Sequence, residues 1–122
     1  MSAWYNKTMA FPGSYNIDYY EGDTLEFNVS PENSAGGIFS LSGYSASFTI
    51  ATSRGPNPSQ SVVCTAEKDE NNTMVLCTIT PTQGRQLVAG TQYVYDVQIT
   101  NGSKVYTLLT GTISVTADVT GA

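Results

Sequence analysis

Hydrophobic residues recur at every second position in seven stretches of this chain. In 14–20, Tyr15, Ile17 and Tyr19 alternate with polar partners, and in 23–29 Leu25, Phe27 and Val29 alternate with Thr24, Glu26 and Asn28. Tyr44, Ala46, Phe48 and Ile50 share one face of 44–52. Runs at 61–68, 73–80, 91–100 and roughly 103–117 complete the set. A period of two with one apolar face describes antiparallel strands that lay one side on a core. Seven such strands, separated by turn residues, predict an all-β antiparallel sandwich over residues 14–120, preceded by an extended arm over residues 1–13.

Side-chain phase also predicts pairing. In 91–99 the bulk falls on Tyr93, Tyr95, Val97 and Ile99, and in 103–117 on Val105, Leu109, Ile113 and Val115. A three-residue loop (Thr100, Asn101, Gly102) sets Val97 opposite Val105 and Tyr93 opposite Leu109, which keeps one continuous apolar face. A two-residue Asn101-Gly102 loop sets the two faces on opposite sides, unless a bulge at Gly111 resets the phase. By the same reasoning Cys64 faces Cys77 across a hairpin, with Val62 opposite Ile79 and Ala66 opposite Val75. Both thiols are then buried side by side, reduced and behaving as small hydrophobes in a reducing compartment, with a cross-strand disulfide as the alternative.

Helix signals are sparse. The segment "PTQGRQLVAG" (81–90) allows one short turn, with Thr80 or Thr82 as its cap, crossing from one sheet to the other. Two long connections, 30–43 and 53–60, carry Pro and Gly and interrupt the strands. Residues 1–13 differ from both. They hold Trp4, Tyr5, Met9, Phe11 and Pro12 with neither period, whereas a disordered arm is poor in such residues. An arm of this composition folds back on its own body or docks on a partner. The docking reading takes Trp4, Tyr5, Met9 and Phe11 as anchors.

Composition then removes whole classes of function. The net charge is −5 with a sequence pI near 4.3, and the five basic residues are scattered. Nucleic acid and an anionic membrane both call for clustered cations, so neither is expected as a partner. No run approaches the roughly 20 apolar residues of a membrane span. The first residues lack the basic and unbroken apolar regions of a signal peptide, which predicts folding in a reducing cytosol. With no His there is no Ser-His-Asp arrangement and no imidazole ligand, and two lone Cys cannot complete a zinc site. Asp18, Glu21 and Asp23 around Gly22 lack the ordered spacing of a calcium loop and read as a solvated turn. No catalytic residue, cofactor or metal is expected.

The segments "YEGDTLEFNV" (20–29), "LSGYSASFTIATS" (41–53), "AGTQYVYDVQIT" (89–100) and "LLTGTISVTADVT" (108–120) follow one another in an order that resembles the small immunoglobulin-like β-sandwich domains of tailed-bacteriophage structural proteins. That family includes tail-collar, fibre-attachment and baseplate proteins. The resemblance covers most of 14–120 and omits the arm and the insert at 54–60. It implies a non-enzymatic virion component, assembled in the host cytoplasm as a symmetric homo-oligomer on tail tube, fibre or capsid subunits. A capsid decoration protein and a carbohydrate-binding or adhesion module are the alternatives.

Overall fold

In the computed structural model, which describes residues 13–32, 37–117 and 119, the alternating stretches become strands. In chain order these are β1 (Gly13–Ser14), β2 (Ile17–Tyr20), β3 (Leu25–Val29), β4 (Ser45–Ala51), β5 (Ser61–Lys68), β6 (Val75–Ile79), β7 (Gln92–Asn101) and β8 (Lys104–Thr116). A single helical turn, α1 (Pro81–Gly84), links β6 to β7. Thr80 caps it: its hydroxyl accepts from the Gln83 amide at 3.2 Å, while the Gln83 side chain accepts from the Thr80 amide at 3.0 Å.

The strands run β1-β8-β7-β4-β5-β6-β3, with β2 also beside β8. The curl of this sheet is set by β5. Its first half, Ser61–Cys64, pairs with β4, and its second half, Thr65–Lys68, pairs with β6. A strand that changes partner midway turns a corner, and the far end of the sheet folds over the near end. The aromatic packing demonstrates this closure. Phe27 of β3 lies 5.4 Å from Phe48 of β4 and 6.3 Å from Tyr95 of β7, although neither strand is its neighbour in the sheet. These edge-to-face contacts, with Phe48 against Tyr95 at 5.7 Å, form the middle of one core. Each such pair contributes about 0.5–1.5 kcal/mol beyond the burial of the rings.

An all-β body with one buried face per strand agrees with the alternation, as the burial of Ile17, Tyr19, Phe27, Val29, Phe48 and Ile50 shows. Several expectations about pairing are corrected. The body is not antiparallel throughout, because β1 and β2 run parallel to β8, with Gly13 opposite Leu109 and Ile17 opposite Ile113. The expected strand 14–20 is broken in two at Tyr15 and Asn16. Gly111 explains the break. The space its Cβ would fill is taken by the Tyr15 carbonyl, whose oxygen lies 2.0 Å from that position. Leaving the ladder there, the carbonyl accepts a hydrogen bond from the Tyr95 hydroxyl at 2.7 Å. Gly111 therefore serves a close backbone approach and not a bulge.

The terminal hairpin turns on two residues, Gly102 and Ser103, with Asn101 opposite Lys104. Gly102 has φ +59°, the conformation that a type II′ turn places at its first central position. The expected pairs Val97–Val105 and Tyr93–Leu109 give way to Thr100–Val105, Val97–Leu109 and Tyr93–Ile113. A bulge between Val97 and Gln98 on the pairing, with Leu108 as the extra residue opposite, restores the phase that the short turn alone would invert. Leu108 and Leu109 are both buried in consequence, and Val105 is exposed.

The two cysteines are buried and free, but they are not partners. Cys77 stands opposite Ala66 and Cys64 opposite Phe48. The register slips because the hairpin tip occupies residues 69–74. The Asp69 amide donates to the Met74 carbonyl at 3.1 Å, and Asn72 takes φ +56°.

Candidate docking surface

Trp4, Tyr5, Met9 and Phe11, the anchors that the sequence singles out, lie outside the described residues. Their attachment point does not. Gly13 is buried beside Leu109, so the arm joins the body at the edge of β8.

Beside that root the end of the molecule is aromatic. Phe39, Tyr44 and Tyr106 form a triangle of rings with centroids 5.9, 6.1 and 6.2 Å apart. Three elements bring them together. Tyr106 sits near the start of β8, opposite Ile99, and so on the core side of the sheet. Tyr44 leads into β4 from a turn in which its amide donates to the Leu41 carbonyl at 3.0 Å and Gly43 takes φ +83°. That value at the third position of the turn is the type II geometry, which calls for Gly. Phe39 is held by its amide donating to the Pro31 carbonyl at 3.3 Å, next to the isolated bridge between Glu32 and Ile38. Leu41, fully buried, pins the loop from beneath. Of the three rings Tyr106 is 37% exposed, while Phe39 and Tyr44 are half-buried and packed against the core. Ile38, Val63, Leu76, Val88 and Val105 are exposed singly, which is ordinary, whereas the three rings gather at one end of the described body.

A depression of about 330 Å³ lies on the outer face of the sheet, lined among others by Thr49, Ala51, Arg54, Pro58, Val94 and Asp96. The insert that carries Arg54 is closed at its base by the Thr52 amide donating to the Gln60 carbonyl at 3.0 Å. From the insert the Arg54 guanidinium donates to Thr110 Oγ1 at 2.6 Å and reaches the carbonyls of Gly111 and Tyr95 at 3.3 and 3.4 Å. Nη2 of Arg54 is thus committed to the sheet and fastens the insert to it. Partial burial pushes the Asp96 carboxyl above its ordinary range, and the Arg54 charge offsets part of that shift.

Other polar groups are likewise held by local hydrogen bonds. Asp69 accepts from the Thr73 amide at 2.7 Å, the Thr73 hydroxyl at 2.8 Å and the Met74 amide at 3.0 Å. Desolvation pushes its carboxyl up, but these hydrogen bonds outweigh it and the net displacement is downward. The carboxylate thus closes its own hairpin tip. Tyr19 likewise spends its hydroxyl on the Asp23 carbonyl at 2.6 Å, across the turn with Asp18, Glu21 and Asp23. No group of three or more His, Cys, Asp or Glu suited to a metal ion occurs among the described residues. Burial pushes the Cys64 and Cys77 thiols up to about 12, which leaves little thiolate for chemistry at neutral pH.

Sequence reasoning missed the aromatic triangle. Phe39 belongs to a connection read as a turn-rich loop, and Tyr106 faces the core side because the turn at Gly102-Ser103, and not the expected three-residue loop, sets it opposite Ile99. The one available signal was the pair Ile38-Phe39 inside an otherwise Ser- and Gly-rich stretch.

No protein-family model and no curated protein sequence matches the chain. Among solved structures, PbICP-C, determined in complex with falcipain-2, aligns with a TM-score of 0.51 over 96% of this chain and 98% of its own, at 12% identity. AggA, the major subunit of aggregative adherence fimbriae type I from Escherichia coli, aligns over 90% of this chain and 92% of its own, at 13% identity and a TM-score of 0.32. The first likeness concerns the fold alone, and the second is too distant to bear on it.

Proposed function

We propose that this chain is a non-enzymatic structural component of a tailed-bacteriophage particle, forming a symmetric oligomer at the tail collar, the baseplate or a fibre junction. What supports the reading is the ordered set of segments that resembles the phage family, at 20–29, 41–53, 89–100 and 108–120. They fall on β3, β4, β7 and β8, the strands that build the body. The finer fold assignment belongs to the same proposal: the curled sheet is an immunoglobulin-like sandwich, with β5 as the strand shared by its two layers. A β body with an apolar core and an aromatic cluster at one end suits a subunit whose product is a surface.

The test is to locate a tagged subunit on purified particles by electron microscopy. A ring of label on the tail supports the proposal. Label spread over the head favours a capsid decoration protein. Absence from particles, together with specific signals on a glycan array, favours an adhesion or carbohydrate-binding module.

A further inference from the structure

We propose that the depression between the sheet and the insert is a binding site for a neutral sugar residue, with the Asp96 carboxylate as its hydrogen-bonding anchor. The inference does not rest on the particle reading, since a tail, capsid or adhesion protein can equally carry such a site.

Register builds the floor. Thr49 stands opposite Asp96 and Ala51 opposite Val94, with all of these side chains on the outer face because Phe48, Ile50, Tyr95 and Val97 take the core side. Opposed side chains lie about 5 Å apart and successive ones on a strand face about 7 Å apart, the footprint of one pyranose ring. The two ends of the floor differ in chemistry. Ala51 and Val94, with Pro58 of the insert, offer a small apolar surface, whereas Thr49 and Asp96 offer a hydroxyl and a carboxylate. A sugar ring presents the matching pair, C–H groups on a face and hydroxyls at the rim. The volume of about 330 Å³ is at the lower end for ligand pockets and suits a single ring. The wall is fixed in advance: the Thr52 hydroxyl meets the Ser59 hydroxyl at 2.9 Å and accepts from the Gln60 amide at 3.1 Å, and Arg54 ties the insert to Thr110. A preformed wall lowers the ordering cost of binding.

Asp96 supplies the anchor. Its side chain is half-buried, yet among the described residues no donor reaches the carboxylate and Arg54 forms no ion pair with it. Asp69 at the hairpin tip, by contrast, accepts from Thr73 and Met74. The two carboxyls are displaced in opposite directions accordingly, Asp69 downward and Asp96 upward. A carboxylate in this state takes two neighbouring hydroxyl donors, in bonds strengthened by its charge. Charge then selects the class of ligand. Asp96 opposes a phosphate or an acidic sugar and Arg54 opposes an amine, whereas a neutral hydroxylated ring meets neither repulsion.

The test is a nuclear magnetic resonance titration of the nitrogen-15-labelled full chain with the methyl glycosides of glucose, galactose, mannose and N-acetylglucosamine. At least one should shift the amides of Thr49, Ala51, Val94 and Asp96 saturably. Asp96→Ala should weaken that binding by about tenfold or more while the far-ultraviolet circular dichroism stays unchanged. Should Asp96→Ala impair folding, Ala51→Leu fills the floor from its exposed side, keeps Asp96, and should abolish the shifts. The proposal is overturned if none of the glycosides shifts these amides, or if the shifts centre elsewhere or survive the substitutions. Equal shifts from glycerol or inorganic phosphate at the same concentration overturn it too, because the site would then have no preference for a neutral ring.

Discussion

Gly111→Ala is the substitution for which the structure makes the sharpest demand. An ideal Cβ at Gly111 lies 2.0 Å from the Tyr15 carbonyl oxygen, 2.8 Å from its carbon and 3.1 Å from Cε2 of Tyr95. The first two atoms are backbone, so no side chain can swing aside. An ordinary carbon–oxygen contact begins near 3.3 Å, so the β1–β2 segment must retreat by roughly 1.3 Å. That movement breaks the 2.7 Å hydrogen bond from the Tyr95 hydroxyl to Tyr15 and strains the bond from the Tyr15 amide to the Thr110 carbonyl, now 3.0 Å. Overpacking costs about 1–3 kcal/mol. A buried hydroxyl left without its acceptor costs about 1–3 kcal/mol more. Reduced freedom of the unfolded chain returns about 0.4–1 kcal/mol, because Gly111 does not take a positive φ. The net loss is about 2–5 kcal/mol, set against a total stability on the order of 6–18 kcal/mol for a chain of this length.

Urea unfolding followed by circular dichroism measures this directly, and at about 4 °C per kcal/mol the melting temperature should drop by roughly 8–20 °C. Tyr95→Phe removes only the hydroxyl and should cost the smaller part, about 1–2 kcal/mol. The double variant should lose less than the sum of the two, since each breaks the same bond. Hydrogen exchange should show residues 13–20 losing protection first, because these strands ride on β8 at the sheet edge. If Gly111→Ala unfolds within about 0.5 kcal/mol of the parent, or if the two substitutions are additive, the account of the strand break is wrong.

Cys64→Ser and Cys77→Ser should each cost about 1–3 kcal/mol by urea unfolding, since a hydroxyl must be buried where the thiol sat; rapid labelling of both thiols in the native protein would contradict their burial. Burial raises the Tyr19 hydroxyl from 10.0 to about 12 and displaces the Tyr95 hydroxyl upward as well. A raised folded value means stability is complete below pH 10.0 and is lost as the pH climbs through the folded values, so the urea midpoint should fall there while part of the phenolate absorbance appears late. Asp69 behaves in the opposite sense: its lowered value gives stability above its ordinary 3.8, lost as the pH falls through the folded value. Asp69→Ala should therefore flatten the acid limb of a plot of melting temperature against pH, and an unchanged limb would show that the tip does not need the carboxylate.

These experiments concern contacts that alternation alone does not reveal. A period of two reports which face a residue takes, and on that question Ile17, Tyr19, Phe27, Phe48, Ile50, Val75, Cys77, Tyr93, Tyr95 and Val97 are all buried as their positions imply. Register is a different quantity, because a slip of two residues leaves every side chain on its face. The cysteines illustrate it: both are buried, yet Cys77 pairs with Ala66 because the hairpin tip is longer than a minimal turn. Direction is equally silent, since a strand parallel to β8 alternates like an antiparallel one. The capped turn at Thr80, by contrast, was readable, because a side chain three residues from its partner settles it locally.

The candidate docking surface lies where the period itself fails. With the turn at Gly102-Ser103 and no extra residue, the apolar positions from Leu109 onward would have turned to solvent. Doubling Leu108 with Leu109 rescues them, while the two-residue turn itself sets Tyr106 opposite Ile99 on the core side and Val105 outside. Tyr106 then overhangs the end of the core beyond Ile99, where the loop carrying Phe39 and Tyr44 closes against it. The short turn thus brings Tyr106 into the aromatic cluster, and the bulge in β8 then keeps the core continuous beyond it. Deleting Leu108 separates the two effects. The shortened strand must either restore the bulge from a neighbouring residue, at a cost in burial of about 1.5–3 kcal/mol for the lost leucine, or swing Tyr106 away from Phe39 and Tyr44. A deletion variant that keeps full stability and an unaltered aromatic environment in its near-ultraviolet circular dichroism would show that the patch does not depend on the bulge.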